Sequence, residues 1–157
     1  MVEQQEASGD RLTTRIGQAV MLLHAGDREE ARNRFGALWS ELGVEGDALH
    51  RCTLAHYLAD TQDDPGDELA WDLRALTAAE ALSDERPAEH PDALAVRAFS
   101  PSLHLNLAAD YLKLQRPDPA RVHLRRARAA ADALVDDGYG GGVRAAIERL
   151  ELRLRQQ

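Results

Sequence analysis

The chain has 157 residues, a formal net charge of −8, 44% hydrophobic residues, 29% charged residues and only 4% aromatics. That length accommodates one domain, and the composition excludes collagen-like, disordered and disulfide-rich classes. Its apolar content is mostly Ala and Leu, the material of packed helices rather than of a β-sandwich, so an all-α fold is expected. Basic residues are 18 Arg and one Lys, Lys113.

The first ten residues are acidic and are expected to form a frayed or disordered N-terminus ahead of a single domain over 11–157. No apolar stretch reaches signal-peptide or membrane-span length, so the expected location is cytoplasmic, with no membrane contact. Cys52 is the sole cysteine. No intramolecular disulfide can form, and a free core or groove thiol is the reading.

Apolar spacing predicts a first helix over 11–25, with Ile16, Ala19, Val20, Leu22 and Leu23 on one face and Gly26 as its stop. Asp27 is placed to cap a second helix that carries Glu29 and Glu30 in its first turn and runs through Ala31, Phe35, Leu38 and Trp39 to Gly43. The pair makes a hairpin over about 11–43. A third helix over 47–61, a turn at Asp63-Asp64-Pro65-Gly66 and a fourth helix over 67–82 give a second hairpin. Residues 83–100 contain Pro87 and Pro91 and read as an insertion with at most one short helical turn. A third hairpin follows over 101–135, its first helix opening at Pro101 with Ser100 as cap. Gly138 reads as a terminator and the glycine-rich run to Gly142 as a hinge. The last helix, over 142–156, presents Val143, Ile147, Leu150 and Leu154 as one apolar stripe.

The hairpins overlay by their small residues. Ala19 precedes Ala31 by 12 positions, and Ala108 precedes Ala120 by the same interval. Two helices in a tight hairpin cross where neither can carry a bulky side chain, and a large residue one turn later fills the adjoining hollow. The second hairpin keeps Leu54-Ala55 and Leu58 but slips in its second helix, where the next small residue is Ala70.

These intervals resemble the tetratricopeptide repeat, a helix-turn-helix unit of 34 residues. Ala19 to Ala55 is 36 residues, and Ala55 to Ala108 is 53, one repeat plus the 83–100 insertion. No Trp opens a repeat, no Pro closes one, and the family's Tyr occurs only at Tyr111. The resemblance implies a right-handed superhelix of about three hairpins with a C-terminal capping helix. It also implies a concave face, lined by the first helix of each repeat, that receives a peptide or protein segment. Helical spacing turns Ile16, Val20 and His24, Cys52, His56 and Asp60, and Leu105, Ala109 and Lys113 toward that face, making a groove apolar at its ends and polar in its middle.

Within the groove, Cys52, His56 and Asp60 share one helix face, and a carboxylate four residues from an imidazole can orient it or help hold a metal. The same spacing serves ordinary packing and helical ion pairs. HExxH and paired CxxC motifs are absent, so no metal and no cofactor are expected. The acidic run Asp60, Asp63, Asp64, Asp67, Glu68 and Asp72 lacks EF-hand spacing and reads as a solvated turn. Gly138 to Gly142 lacks the Lys and Ser/Thr of a phosphate loop. Trp39 and Trp71 read as packing between hairpins.

Charge divides along the chain. Residues 113–157 hold ten basic and six acidic side chains, against nine and 21 in residues 1–112. Arg121, Arg125 and Arg128 form a stripe, suited either to a solvated face or to an acidic partner. Nucleic acid is disfavoured, because the acidic part repels a polyanion and no aromatic platform accompanies the arginines.

The leading expectation is a non-enzymatic protein-binding module, with a possible homodimer through the stripe of the last helix. The alternative is a small helical enzyme binding a metal or small molecule through His56, Asp60 and Cys52.

Overall fold

A computed structural model describes residues 2–134 and 137–156, with side chains from residue 11 onward. Among these the chain is all α: α1 (Val2–His24), α2 (Arg28–Leu42), α3 (Ala48–Asp60), α4 (Pro65–Glu85), α5 (Pro91–Lys113), α6 (Pro117–Ala131) and α7 (Gly138–Arg155). Each helix packs on the next, and α5 also touches α3 and α7. The hairpins are therefore stacked in chain order. No helix among the described residues is long and apolar enough to cross a membrane.

Punctuation by short polar residues, proline and glycine sets the boundaries. Asp47 accepts the His50 amide at 3.2 Å, and Asp64 accepts those of Gly66 and Asp67 at 2.7 and 3.1 Å, satisfying first-turn donors that have no partner within the helix. Pro65, Pro91 and Pro117 occupy opening positions, where a missing N–H costs nothing. Gly26 and Gly43 end α1 and α2 at φ of 89° and 68°, in the left-handed region that glycine tolerates best. Asp27 precedes α2, but its side chain makes no capping bond; its backbone carbonyl accepts the Ala31 amide instead.

Three expectations are corrected at the level of elements. Residues 2–10, expected to be frayed or disordered, are helical and form the start of α1. Residues 83–100 are largely helical: α4 continues to Glu85, and α5 begins at Pro91 and runs unbroken through Pro101. Pro101 cannot donate to the Arg97 carbonyl. The helix persists because Ala93, Val96 and Leu103, on both sides of the proline, are buried with Ala75, Ala79 and Leu82 of α4. Gly138 likewise opens α7 rather than terminating anything. Asp137 caps the Gly140 amide at 2.8 Å, and the Tyr139 hydroxyl lies 2.5 Å from Ser102 Oγ and donates to the Ala98 carbonyl at 3.3 Å. These bonds tie the first turn of α7 to α5 and outweigh the low helix propensity of its four glycines.

The small residues lie where the overlay expects them. Ala19, Ala31, Ala55, Ala108 and Ala120 are 0 or 1% exposed. In α4 the fully buried small residue is Ala75, not Ala70, which is only half-buried. Phe35, Leu38, Leu54 and Leu58 fill the core of the first three helices. Val143, Ile147, Leu150 and Leu154 are buried against Ala108, Leu112, Leu124 and Ala127. The stripe of α7 is therefore used within its own chain, and the expected two-fold contact through it is corrected to a cap. Trp39 and Trp71 meet edge to face at 5.1 Å, joining α2 to α4, with Arg51 and Arg74 over their outer ring faces.

Candidate functional site: a charged ridge over a buried carboxyl pair

The nine residues expected to line a groove separate into two groups. Ile16 and Cys52 are core residues, at 7 and 1% exposed. Burial pushes the Cys52 thiol up to about 12, so it is neither a ready thiolate nor a groove residue. Val20 is half-buried on the core of the first hairpin, and Leu105 and Ala109 are half-buried on the core of α6 and α7. The apolar ends of the expected groove are thus taken up by packing.

His56 is packed as well. Its ring meets Phe99 edge to face at 4.6 Å, and its Nδ1 accepts from Asn106 Nδ2 at 3.4 Å, linking α3 to α5. Burial lowers its pKa to about 4, which leaves a neutral imidazole at pH 7. No hydrogen bond joins it to Asp60 among the described residues.

The remaining three, His24, Asp60 and Lys113, are exposed at the C-terminal ends of α1, α3 and α5. They converge. Asp60 lies in the field of Lys113, Arg28 and His24 as well as that of Glu68; partial burial and Glu68 raise its pKa, while the three cationic neighbours lower it. Lys113 Nζ donates to Glu68 Oε1 at 2.7 Å, crossing from α5 to the first turn of α4. Residues far apart in sequence therefore form one charged ridge.

Beneath the ridge lie Asp72 of α4 and Asp110 of α5, each 2% exposed. Asp110 is within hydrogen-bonding reach of both Asp72 and Glu68, and desolvation followed by these carboxylates drives its pKa far above the ordinary range. Asp72 is raised to about 7, chiefly by burial. Asp72 Oδ1 and Asp110 Oδ2 have no hydrogen-bond donor among the described residues. Two buried like charges this close cannot both ionise, so at neutral pH Asp110 keeps its proton and serves as the donor the pair otherwise lacks.

Asp72 is accordingly no part of a solvated turn. Asp63 and Asp64 do belong to the turn: Asp63 receives Arg28 at 3.1 Å and Arg32 at 3.2 Å, and Asp64 caps α4. Among the described residues no group of three or more His, Cys, Asp or Glu side chains is arranged to hold a metal ion. The residues that spacing did not single out are Glu68 and Asp110. Asp110 had a legible signal, since it falls three and seven residues after Leu107 and Leu103 on the buried face of α5.

Compared with protein-family models, with curated proteins and with solved structures, the chain matches none.

Proposed function

We propose that the chain is a non-enzymatic interaction module, a tetratricopeptide-like right-handed stack of three hairpins and a cap, which binds a segment of a partner protein across the first-helix face. The observation that carries this reading is the convergence of His24, Asp60 and Lys113. Side chains from the ends of α1, α3 and α5 share one field, which supports first helices whose ends lie on the same side of the stack. A stack of this kind offers an extended surface that a single helix pair does not.

The chemistry of the ridge suits recognition. Its charges of both signs are held by partners from other elements, Lys113 on Glu68 of α4 and Arg28 on Asp63 of the α3–α4 turn, so they are oriented before a partner arrives. Cys52 and His56, the residues an enzymatic reading needs, are a buried protonated thiol and a buried neutral imidazole.

The test uses exposed positions only. Tagged wild-type chain and a variant carrying His24→Ala, Asp60→Asn and Lys113→Gln are compared for partner recovery from the cells that make the protein. Loss of a specific partner in the variant, with an unchanged thermal melt, is the expected result. Unchanged recovery of every partner would sink the reading.

A further inference from the structure

A second surface lies between the last two helices. Helices α6 and α7 enclose a cleft of about 390 Å³ whose walls carry Arg121, Arg125 and Arg128 on one side and Arg155 on the other. Its apolar floor is formed by Leu124 and Leu154, and its acidic side chain is Glu151. The lining holds four guanidinium groups and one carboxylate, with Asp118 beside Arg121, which makes the cleft positive in a chain whose net charge is −8.

Glu151 shows what the cleft accepts. Its carboxylate takes Arg128 through both Nε, at 2.8 Å, and the terminal nitrogen, with Arg155 at 3.8 Å on the other oxygen. Arg121 is held by Asp118 at 3.0 Å and reaches the Leu154 carbonyl. Arg125 has no hydrogen bond or ion pair among the described residues and is exposed. The same walls that hold one carboxylate therefore leave a guanidinium free to take another.

We infer that this α6/α7 cleft binds an extended acidic protein segment in which every second residue is a carboxylate. The spacing favours such a segment over a single phosphate. Arg121 and Arg125 are four residues apart, a rise of about 6 Å along the helix, and alternate side chains of an extended chain recur every ~6.6 Å. Successive carboxylates can thus meet successive arginines. The intervening side chains of an extended chain face away from the arginines, so the carboxylates carry the recognition. A nucleic acid would need a stacking platform, and the cleft lining contains no aromatic residue. Its position on the second helix of the last hairpin and the cap makes this site independent of the first-helix face.

The experiment measures fluorescence anisotropy of a pentapeptide alternating glutamate and leucine, labelled with a zwitterionic dye, against the full chain. Saturable binding that weakens as salt rises is expected, with affinity lower by at least about tenfold in the Arg125→Glu/Arg155→Glu variant, equivalent to ~1.4 kcal/mol. Both positions are exposed, and Arg125→Gln, which removes no ion pair of the described residues, provides a second variant expected to weaken binding in the same direction. Arg34→Glu, on α2, should leave affinity within about twofold, as a change remote from the cleft. The inference is overturned by the absence of saturable binding, by equal affinity in the double variant, by equal binding of a control pentapeptide alternating lysine and leucine, or by tighter binding of inorganic phosphate or oligothymidylate.

Discussion

Asp72 and Asp110 face one another across the α4/α5 interface with a buried, donorless oxygen on each. The proton that Asp110 retains is the bond between them, and it is the group through which pH acts on the packing of the second hairpin against the third.

Both carboxyls bind protons more tightly in the folded chain than in the unfolded one, where the ordinary value is 3.8. Their contribution to stability is therefore fully present below about 4 and declines as pH rises, Asp72 through about 7 and Asp110 beyond it. Above pH 7, stability should fall with a limiting slope of about 1.4 kcal/mol per pH unit for one proton. Asp110→Asn, which keeps a donor and cannot ionise, should flatten that slope. Urea denaturation at pH 7, 8 and 9 measures it, and a slope unchanged by the substitution would refute the shared proton.

The acid limb has the opposite sign. Burial lowers His56 and His104 from 6.5 to about 4, and His104 is further tied to His123 through Nδ1 atoms 3.1 Å apart. Each contributes stability that is present above about 6.5 and lost as pH falls toward 4. The carboxyl pair opposes this over the same interval, so the expected outcome is relative: His56→Gln should gain stability against the wild-type chain as pH falls from 6.5 to 4.5, while leaving the alkaline limb unchanged. Melting curves across that interval distinguish the two limbs.

The small residues at the hairpin crossings make a steric prediction. Ala120 is fully buried where α6 meets α5, so Ala120→Leu should destabilise the chain by about 1–3 kcal/mol through overpacking. Ala129→Leu, on the exposed face of the same helix, should change stability by less than about 0.5 kcal/mol. Chemical denaturation of the two variants checks the contrast.

Trp71 links α4 to α2 through its edge contact with Trp39. Trp71→Ala should cost about 2–3 kcal/mol, the lower part of the range for a large aromatic because the side chain is only half-buried. Far-UV circular dichroism, which does not rely on tryptophan fluorescence, measures it.

Helix content and order were legible because period, proline and glycine agreed with tertiary packing through most of the chain. Gly26 and Gly43 ended helices as their position implied, and Ala19 and Ala120 lay buried at their crossings. The reading failed where local signals opposed packing. Pro101 and the glycines after Asp137 argued for breaks, but burial of Val96 and Leu103 and the Tyr139 bonds to α5 carried the helices through. At the site, spacing put His24, Asp60 and Lys113 among the residues turned away from their hairpin partners, and these three are exposed. It could not show that Leu105 and Ala109 would be covered by the last two helices, because that depends on contacts between distant elements. Asp72 looked solvated by its place in an acidic run, although its position three residues before Ala75 and seven before Ala79 set it on the buried face of α4.

The central claim is that a partner segment lies on the first-helix face. Amide hydrogen exchange of the chain alone and in complex with the partner it recovers tests this most directly. Added protection should appear in the C-terminal halves of α1, α3 and α5, around His24, Asp60 and Lys113. Protection confined to α2 and to the outer face of α4, with none at those three helix ends, would contradict it.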